Sequence, residues 1–129
     1  MEILSSRIIL RPADPARSRR FYRDVLGLAI YREFPGGTVF FLGQGLLEIS
    51  GHGDDGDDGD ARASTVVWLQ VRDLTTTAAE LTLRGVPIDR KPQRERWGLD
   101  EMWVSDPDGV RLVFVEIPPD HPLRADARL

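Results

Sequence analysis

Apolar and polar positions along the chain indicate a β-rich protein whose clearest element is a hairpin near the carboxyl end. Two runs rich in β-branched and aromatic residues, 101–105 and 110–117, flank the sequence Asp106-Pro107-Asp108-Gly109. Residues of these types favour strands. Aspartate accepts hydrogen bonds from nearby amides, proline presets φ and glycine tolerates positive φ, so the residues between the runs are typical of a tight turn.

The hairpin also predicts which side chains share a face of the sheet. With a regular turn formed by residues 106–109, Met102 lies opposite Val113. Trp103 then points to the other face, where we expect a helix and a core position.

The order of elements in this part of the chain occurs once before. Asp14, which Pro15 follows, and Asp73 are typical of helix N-caps, and Gly27 and Gly85 are typical of helix ends. The separation between the two aspartates equals that between the two glycines to within one residue. This agreement predicts two similar βαβββ modules. The predicted strands are 7–11, 28–33, 38–42 and 46–50 in the first module and 65–71, 86–89, 101–105 and 110–117 in the second, and the predicted helices are 15–26 and 74–84.

The two modules, 3–50 and 65–117, are joined by a segment rich in glycine and aspartate, 51–64, and are followed by a tail, 118–129. The joining segment has almost no apolar content, so we expect a mobile linker inside a single α+β domain of residues 1–129. Its carboxylates are of the type that binds calcium, but their spacing does not match an EF-hand loop, and a solvated linker is favoured.

Composition narrows the classes of function. The chain has 129 residues and no cysteine, which excludes disulfides, thiolate catalysis and cysteine-ligated metals. A formal net charge of -4 argues against a broad nucleic-acid surface. No apolar run approaches the length of a membrane span, and the amino terminus lacks the apolar core of a signal peptide. We therefore expect a cytoplasmic protein with neither a nucleic-acid nor a membrane partner.

Residues 11–28, RPADPARSRRFYRDVLGL, and the closing DPDG hairpin together resemble the vicinal oxygen chelate superfamily. This superfamily includes glyoxalase I, extradiol dioxygenases and the fosfomycin- and bleomycin-resistance proteins, and the resemblance covers about residues 5–117. It implies that the two modules form a cupped mixed β-sheet around a cleft, with flanking helices, and that the protein is a homodimer. Trp97-Gly98, ahead of the last hairpin, is most similar to the metal-free bleomycin-resistance branch.

Enzymes of this superfamily bind a divalent cation with side chains on the first and last strands of each module. By position, the resemblance assigns those places to Arg7, Glu48, Val66 and Val113. Only Glu48 can be a ligand, since valine has no donor atom and a guanidinium repels a cation. One carboxylate cannot replace the three protein ligands of a catalytic site, and the histidines lie in the linker and the tail. We therefore expect no metal, no cofactor and an ion pair between Arg7 and Glu48.

The predicted cleft is apolar and aromatic, which suits a planar ligand. Trp68 shares the strand parity of Val66 and should face inward. Phe40 precedes Glu48 in the first hairpin, and we expect it to lie opposite Glu48, while Phe34 and Trp97 lie in loops that would form the rim. Core packing is the alternative role for Trp68 and Trp97. The candidate ligand-binding residues are Arg7, Ile9, Phe34, Phe40, Glu48, Trp68, Trp97, Met102 and Val113.

Three functions are consistent with these residues. The first, which we favour, is metal-independent binding of an aromatic or planar small molecule, with sequestration of an antibiotic as in the bleomycin-resistance proteins. The second is an atypical isomerase or lyase of the superfamily with Glu48 as general base, although an adjacent arginine favours the weakly basic, ionised form of a carboxylate. The third is a structural or regulatory module whose cleft is filled by its own side chains.

Overall fold

The computed structural model describes residues 1–2, 4–51 and 65–122. Its contacts divide the chain into two compact units, Met1–Asp60 and Ala61–Leu129. The predicted linker, apart from Gly51, and the tail after residue 122 lie outside the described residues. In the part of the chain that is described, no helix is long and apolar enough to cross a membrane.

The first unit is a mixed sheet with a helical segment against one face. Its strands are β1 (Ile8–Leu10), β2 (Ile30–Phe34), β3 (Gly37–Leu42) and β4 (Gly45–Ser50). They are arranged in the order β1-β4-β3-β2, with β1 parallel to β4 and the other pairs antiparallel. The helical segment consists of α1 (Pro15–Arg20) and a π-helical turn (Phe21–Val25).

The sequence signals at Asp14 and Gly27 act as predicted. Asp14 caps α1, because its Oδ1 accepts a hydrogen bond of 3.1 Å from the backbone N–H of Arg17. Gly27 follows the helical segment with a φ of 74°, which residues with a Cβ rarely adopt. The helix packs on the face of the sheet that carries Phe40, whose ring centroid lies 6.3 Å from that of Tyr22.

The second unit repeats this arrangement and confirms the α+β class with βαβββ modules. Its elements are β5 (Val66–Gln70), α2 (Leu74–Leu83), β6 (Arg90–Arg94), β7 (Asp100–Ser105) and β8 (Arg111–Glu116). The strand order is β5-β8-β7-β6, with β5 parallel to β8. Asp73 caps α2 through a bond of 3.0 Å from the N–H of Thr76, and Glu116 accepts the N–H of Leu74 at 2.7 Å.

The strand predicted at 86–89 is wrong, because β6 begins only at Arg90. Val86 belongs to the end of the helix: its N–H donates to the carbonyl of Leu81 at 2.9 Å, and its side chain is buried. Pro87 has no N–H to contribute to a strand ladder. Val86 therefore closes the helix, while the strand itself is a polar edge strand.

The loop of the closing hairpin is one residue longer than predicted. Ser105 pairs with Arg111, so Val110 lies in the loop. The cause is the carboxylate of Asp106, whose Oδ1 accepts the N–H of Val110 at 2.8 Å and the N–H of Asp108 at 2.9 Å. One additional loop residue shifts the pairing of β8 with β7 by one residue. Because side chains alternate along a strand, each residue of β8 then shares a face with different residues of β7 than predicted.

The predicted pairing of Met102 with Val113 is wrong for this reason. Trp103 pairs with Val113, and Met102 pairs with Phe114. Each sheet has a helix face, which packs against its own helix, and a distal face turned away from that helix. Met102 is fully buried on the helix face, whereas Trp103 lies on the distal face.

Candidate functional site

Three residues form a row across the distal face of the second unit. Val113 on β8 is the register partner of Trp68 on β5 and of Trp103 on β7. Neighbouring strands are about 4.8 Å apart, so the two tryptophans are attached roughly 10 Å from each other with one small side chain between them. We call these three residues the tryptophan row. Val113 is buried, while Trp68 is 48% exposed.

Trp103 is held in place from two sides. It packs against a cluster formed by Leu99, Val113, Val115 and Ile117. The guanidinium of Arg111 lies 4.6 Å from the centroid of the Trp103 ring. An indole face attracts a cation at such a distance, so one face of this ring already has a partner within the chain.

Trp97 lies in the turn between β6 and β7 and extends the aromatic surface. Its indole Nε1 donates a hydrogen bond of 2.8 Å to Oε2 of Glu101. Glu101 is buried on the distal face, since it pairs with Val115, and Trp97 itself is 52% exposed. The turn is supported by His121, whose Nε2 lies 3.1 Å from the carbonyl oxygen of Trp97.

Sequence reasoning missed Glu101 and Trp103 as residues of this face. With the longer loop, Trp103 pairs with Val113 and Glu101 pairs with Val115, two residues further along β8, so both side chains share the face of Val113. The signal for that loop was present in the sequence, because an aspartate at the start of a turn commonly accepts the N–H groups that follow it.

The distal face of the first unit carries the predicted ion pair. Nη1 of Arg7 lies 2.9 Å from Oε1 of Glu48. Ile9 on β1 and Val39 on β3 are the register partners of Glu48. The structure therefore brings together Arg7, Ile9 and Glu48. The ion pair between Arg7 and Glu48 is as expected.

The expected placement of Phe40 beside Glu48 is wrong. Phe40 pairs with Leu47 and is fully buried on the helix face. The next residue, Phe41, shares the face of Glu48 and meets Tyr31 edge to face, with ring centroids 5.1 Å apart. Phe41 and Tyr31 are about half exposed, and neither is among the ligand-binding residues predicted from the sequence.

Phe34 lines a pocket of about 470 Å³ beside the start of α1. It is the last residue of β2 and not a loop residue, contrary to expectation. The polar groups of the pocket satisfy one another, because Arg19 bonds both to the carboxylate of Glu33 and, at 3.0 Å, to the hydroxyl of Thr38. The hydrogen bond from Arg19 is the main reason why the pKa of Glu33 lies below its ordinary value.

The four positions that correspond to metal ligands do not fit a metal. Arg7 and Glu48 bind each other, and the valines at 66 and 113 offer no donor atom. Among the described residues, no group of three or more His, Cys, Asp or Glu side chains is arranged to hold a metal ion. The donor chemistry of these positions is therefore unsuited to a divalent cation.

Comparison with known proteins agrees with this fold. The family described as the Glyoxalase/Bleomycin resistance protein/Dioxygenase superfamily matches residues 5–114. The uncharacterized protein YraH of Bacillus subtilis (strain 168) is 28% identical over 120 residues, which span 84% of this chain and 92% of that protein.

Two solved structures share the fold at low identity. Lactoylglutathione lyase from Agrobacterium tumefaciens aligns with a TM-score of 0.71 and 18% identity, over 90% of this chain and 94% of that chain. TioX from Micromonospora sp. ML1 aligns with a TM-score of 0.69 and 20% identity, over 88% of this chain and 95% of that chain. With the family match spanning most of its length, the chain belongs to the glyoxalase/bleomycin resistance protein/dioxygenase superfamily, the vicinal oxygen chelate proteins.

Proposed function

We propose that this protein binds an aromatic or planar small molecule without a metal, as the bleomycin-resistance branch of its superfamily does. The tryptophan row carries this proposal. The exposed half of Trp68 and the indole of Trp103 flank a buried valine, which gives a flat apolar surface between stiff aromatic side chains. A planar ring gains contact area and stacking energy there, and little side-chain freedom is lost.

The chemistry at the metal-ligand positions supports metal independence. Val113, at one of those positions, forms the floor of the tryptophan row. Glu48, at another, accepts a hydrogen bond from Arg7. A general base must reach the proton that it abstracts, whereas the carboxylate of Glu48 is held by Arg7. We therefore prefer binding to an isomerase or lyase reaction.

Binding without turnover protects a cell when it lowers the free concentration of a toxic compound, so we propose sequestration of a planar antibiotic as the biological role. On the superfamily resemblance, we also propose that the protein acts as a homodimer. Size-exclusion chromatography with light scattering measures its oligomeric state directly.

A thermal-shift experiment on protein treated with a chelator tests the proposed function. The compounds are bleomycin, mitomycin and an anthraquinone, together with salts of manganese, nickel, zinc and iron. A ligand that binds only the native state raises Tm by mass action. We expect a higher Tm with at least one planar compound and no change with the metals. A higher Tm with a metal alone would contradict the proposal, as would an unchanged Tm with every planar compound.

A further inference from the structure

We infer that the site on the second unit selects planar ligands that carry an organic cation, and that Glu101 binds the cationic group. This inference rests on the aromatic-binding function proposed above. Beyond that function, it specifies that the ligand is positively charged and that Glu101 recognises this charge.

Glu101 is a buried carboxylate with a neutral partner. It is 6% exposed, and its Oε2 accepts a hydrogen bond of 2.8 Å from the indole N–H of Trp97. Within the described parts of the chain, it forms no ion pair. Buried carboxylates are normally compensated by a cation or by several hydrogen bonds, because removal from water disfavours the charge.

The two neighbouring arginines contact groups other than Glu101. Arg90, the register partner of Trp103, forms an ion pair with Glu95. Arg111 lies over the ring of Trp103. The distal face of this unit therefore contains a carboxylate whose charge is not matched within this set of contacts, next to the exposed indole of Trp97, which can attract a cation.

The strand geometry places Glu101 beside the tryptophan row. Glu101 and Trp103 are two residues apart on β7, so they point to the same face at a spacing of roughly 7 Å. A ring on the row that bears a protonated amine brings its charge towards the carboxylate and the exposed indole of Trp97. A neutral ring gains the same stacking but leaves Glu101 uncompensated.

The test compares two ligands with the same ring system at neutral pH. 9-Aminoacridine is protonated under these conditions, and acridine is largely uncharged. Their affinities are measured by fluorescence titration for the wild type, Glu101→Gln and Glu80→Gln. Glutamine at 101 keeps an acceptor for the N–H of Trp97, and Glu80→Gln on the exposed side of α2 makes the same change in net charge elsewhere.

We expect the wild type to bind 9-aminoacridine about tenfold more tightly than acridine, a preference within the range of desolvated cation contacts. Glu101→Gln should weaken the binding of 9-aminoacridine by about tenfold and change the affinity for acridine by less than about twofold. Glu80→Gln should retain the preference. Unfolding in urea confirms that the variants remain folded.

Three results overturn the inference, and they separate a failure of the role of Glu101 from a failure of the proposed function. If both rings bind the wild type equally, or the preference survives in Glu101→Gln, the role of Glu101 is wrong while the aromatic-binding function stands. If neither ring binds the wild type and the planar antibiotics also leave Tm unchanged, the proposed function fails and the inference fails with it.

Discussion

Val113 lies directly opposite Trp103 on one neighbouring strand and directly opposite Trp68 on the other. A single isopropyl group thus separates two indoles at a position where superfamily enzymes place a metal ligand. A glutamate at this position would put a charged oxygen into a cluster that includes Val115 and Ile117. Valine at this position therefore offers no metal donor, and in the proposed aromatic site it forms the apolar floor.

Trp68→Ala should weaken the binding of a planar ligand by about three- to tenfold, which corresponds to the loss of one aromatic stacking contact. Because Trp68 is 48% exposed, the free energy of unfolding should change by less than about 1 kcal/mol. Isothermal titration calorimetry and urea unfolding measure the two quantities. Trp68→Phe is the matched control and should retain most of the affinity. An affinity that is unchanged in Trp68→Ala would exclude the tryptophan row as the binding surface.

Phe40 and Phe41 are adjacent in sequence but should respond very differently to replacement by alanine. Phe40 is fully buried against Tyr22, so Phe40→Ala should lower the free energy of unfolding by about 3–5 kcal/mol. Phe41 is 46% exposed on the distal face, so Phe41→Ala should cost about 1 kcal/mol or less. Urea unfolding of the pair provides the measurement. Equal losses of stability would contradict the register in which β3 pairs with β4.

Much of the fold could be predicted from local signals. Asp14 and Asp73 are N-caps because their carboxylates accept amides of the first helical turn, and that chemistry depends on neighbouring residues alone. The repeated order of caps, glycines and apolar runs was sufficient to predict the two βαβββ units. The Arg7–Glu48 pair was also predicted, because the resemblance to the superfamily places both residues at one cleft.

The errors concern which face a side chain occupies. Phe40, Met102 and Trp103 were each placed on the wrong face, because the assignment of faces depends on the number of residues in a loop. In the closing hairpin that number is set by the hydrogen bonds of the Asp106 side chain. The alternation of apolar and polar residues along the strands contains no information about these bonds. The predicted strand at 86–89 failed for a related reason, since an apolar residue after a helix packs on its last turn as readily as it begins a strand.

Asp106→Ala should destabilise the second unit. The carboxylate is buried and accepts the N–H groups of Asp108 and Val110, so its removal leaves two amides without this acceptor. We expect a loss of about 1–3 kcal/mol in the free energy of unfolding, measured in urea. Asp106→Asn keeps an acceptor oxygen and should lose less. If both variants are as stable as the wild type, the side chain does not determine the length of the loop.

The ion pair of Arg19 and Glu33 should make stability depend on pH in the acid range. The hydrogen bond from Arg19 lowers the pKa of Glu33 in the folded protein. The folded state therefore favours the ionised carboxylate, and this contribution is present at neutral pH and is lost as the pH falls through the folded pKa. Glu33→Gln should thus lower the free energy of unfolding at neutral pH, and this effect should become progressively smaller in acid, as urea unfolding at a series of pH values can show.

Glu80→Gln is the control, since no ion pair of Glu80 is found among the described residues. A difference between wild type and Glu33→Gln that stays constant from neutral to acid pH would show that the ion pair does not contribute.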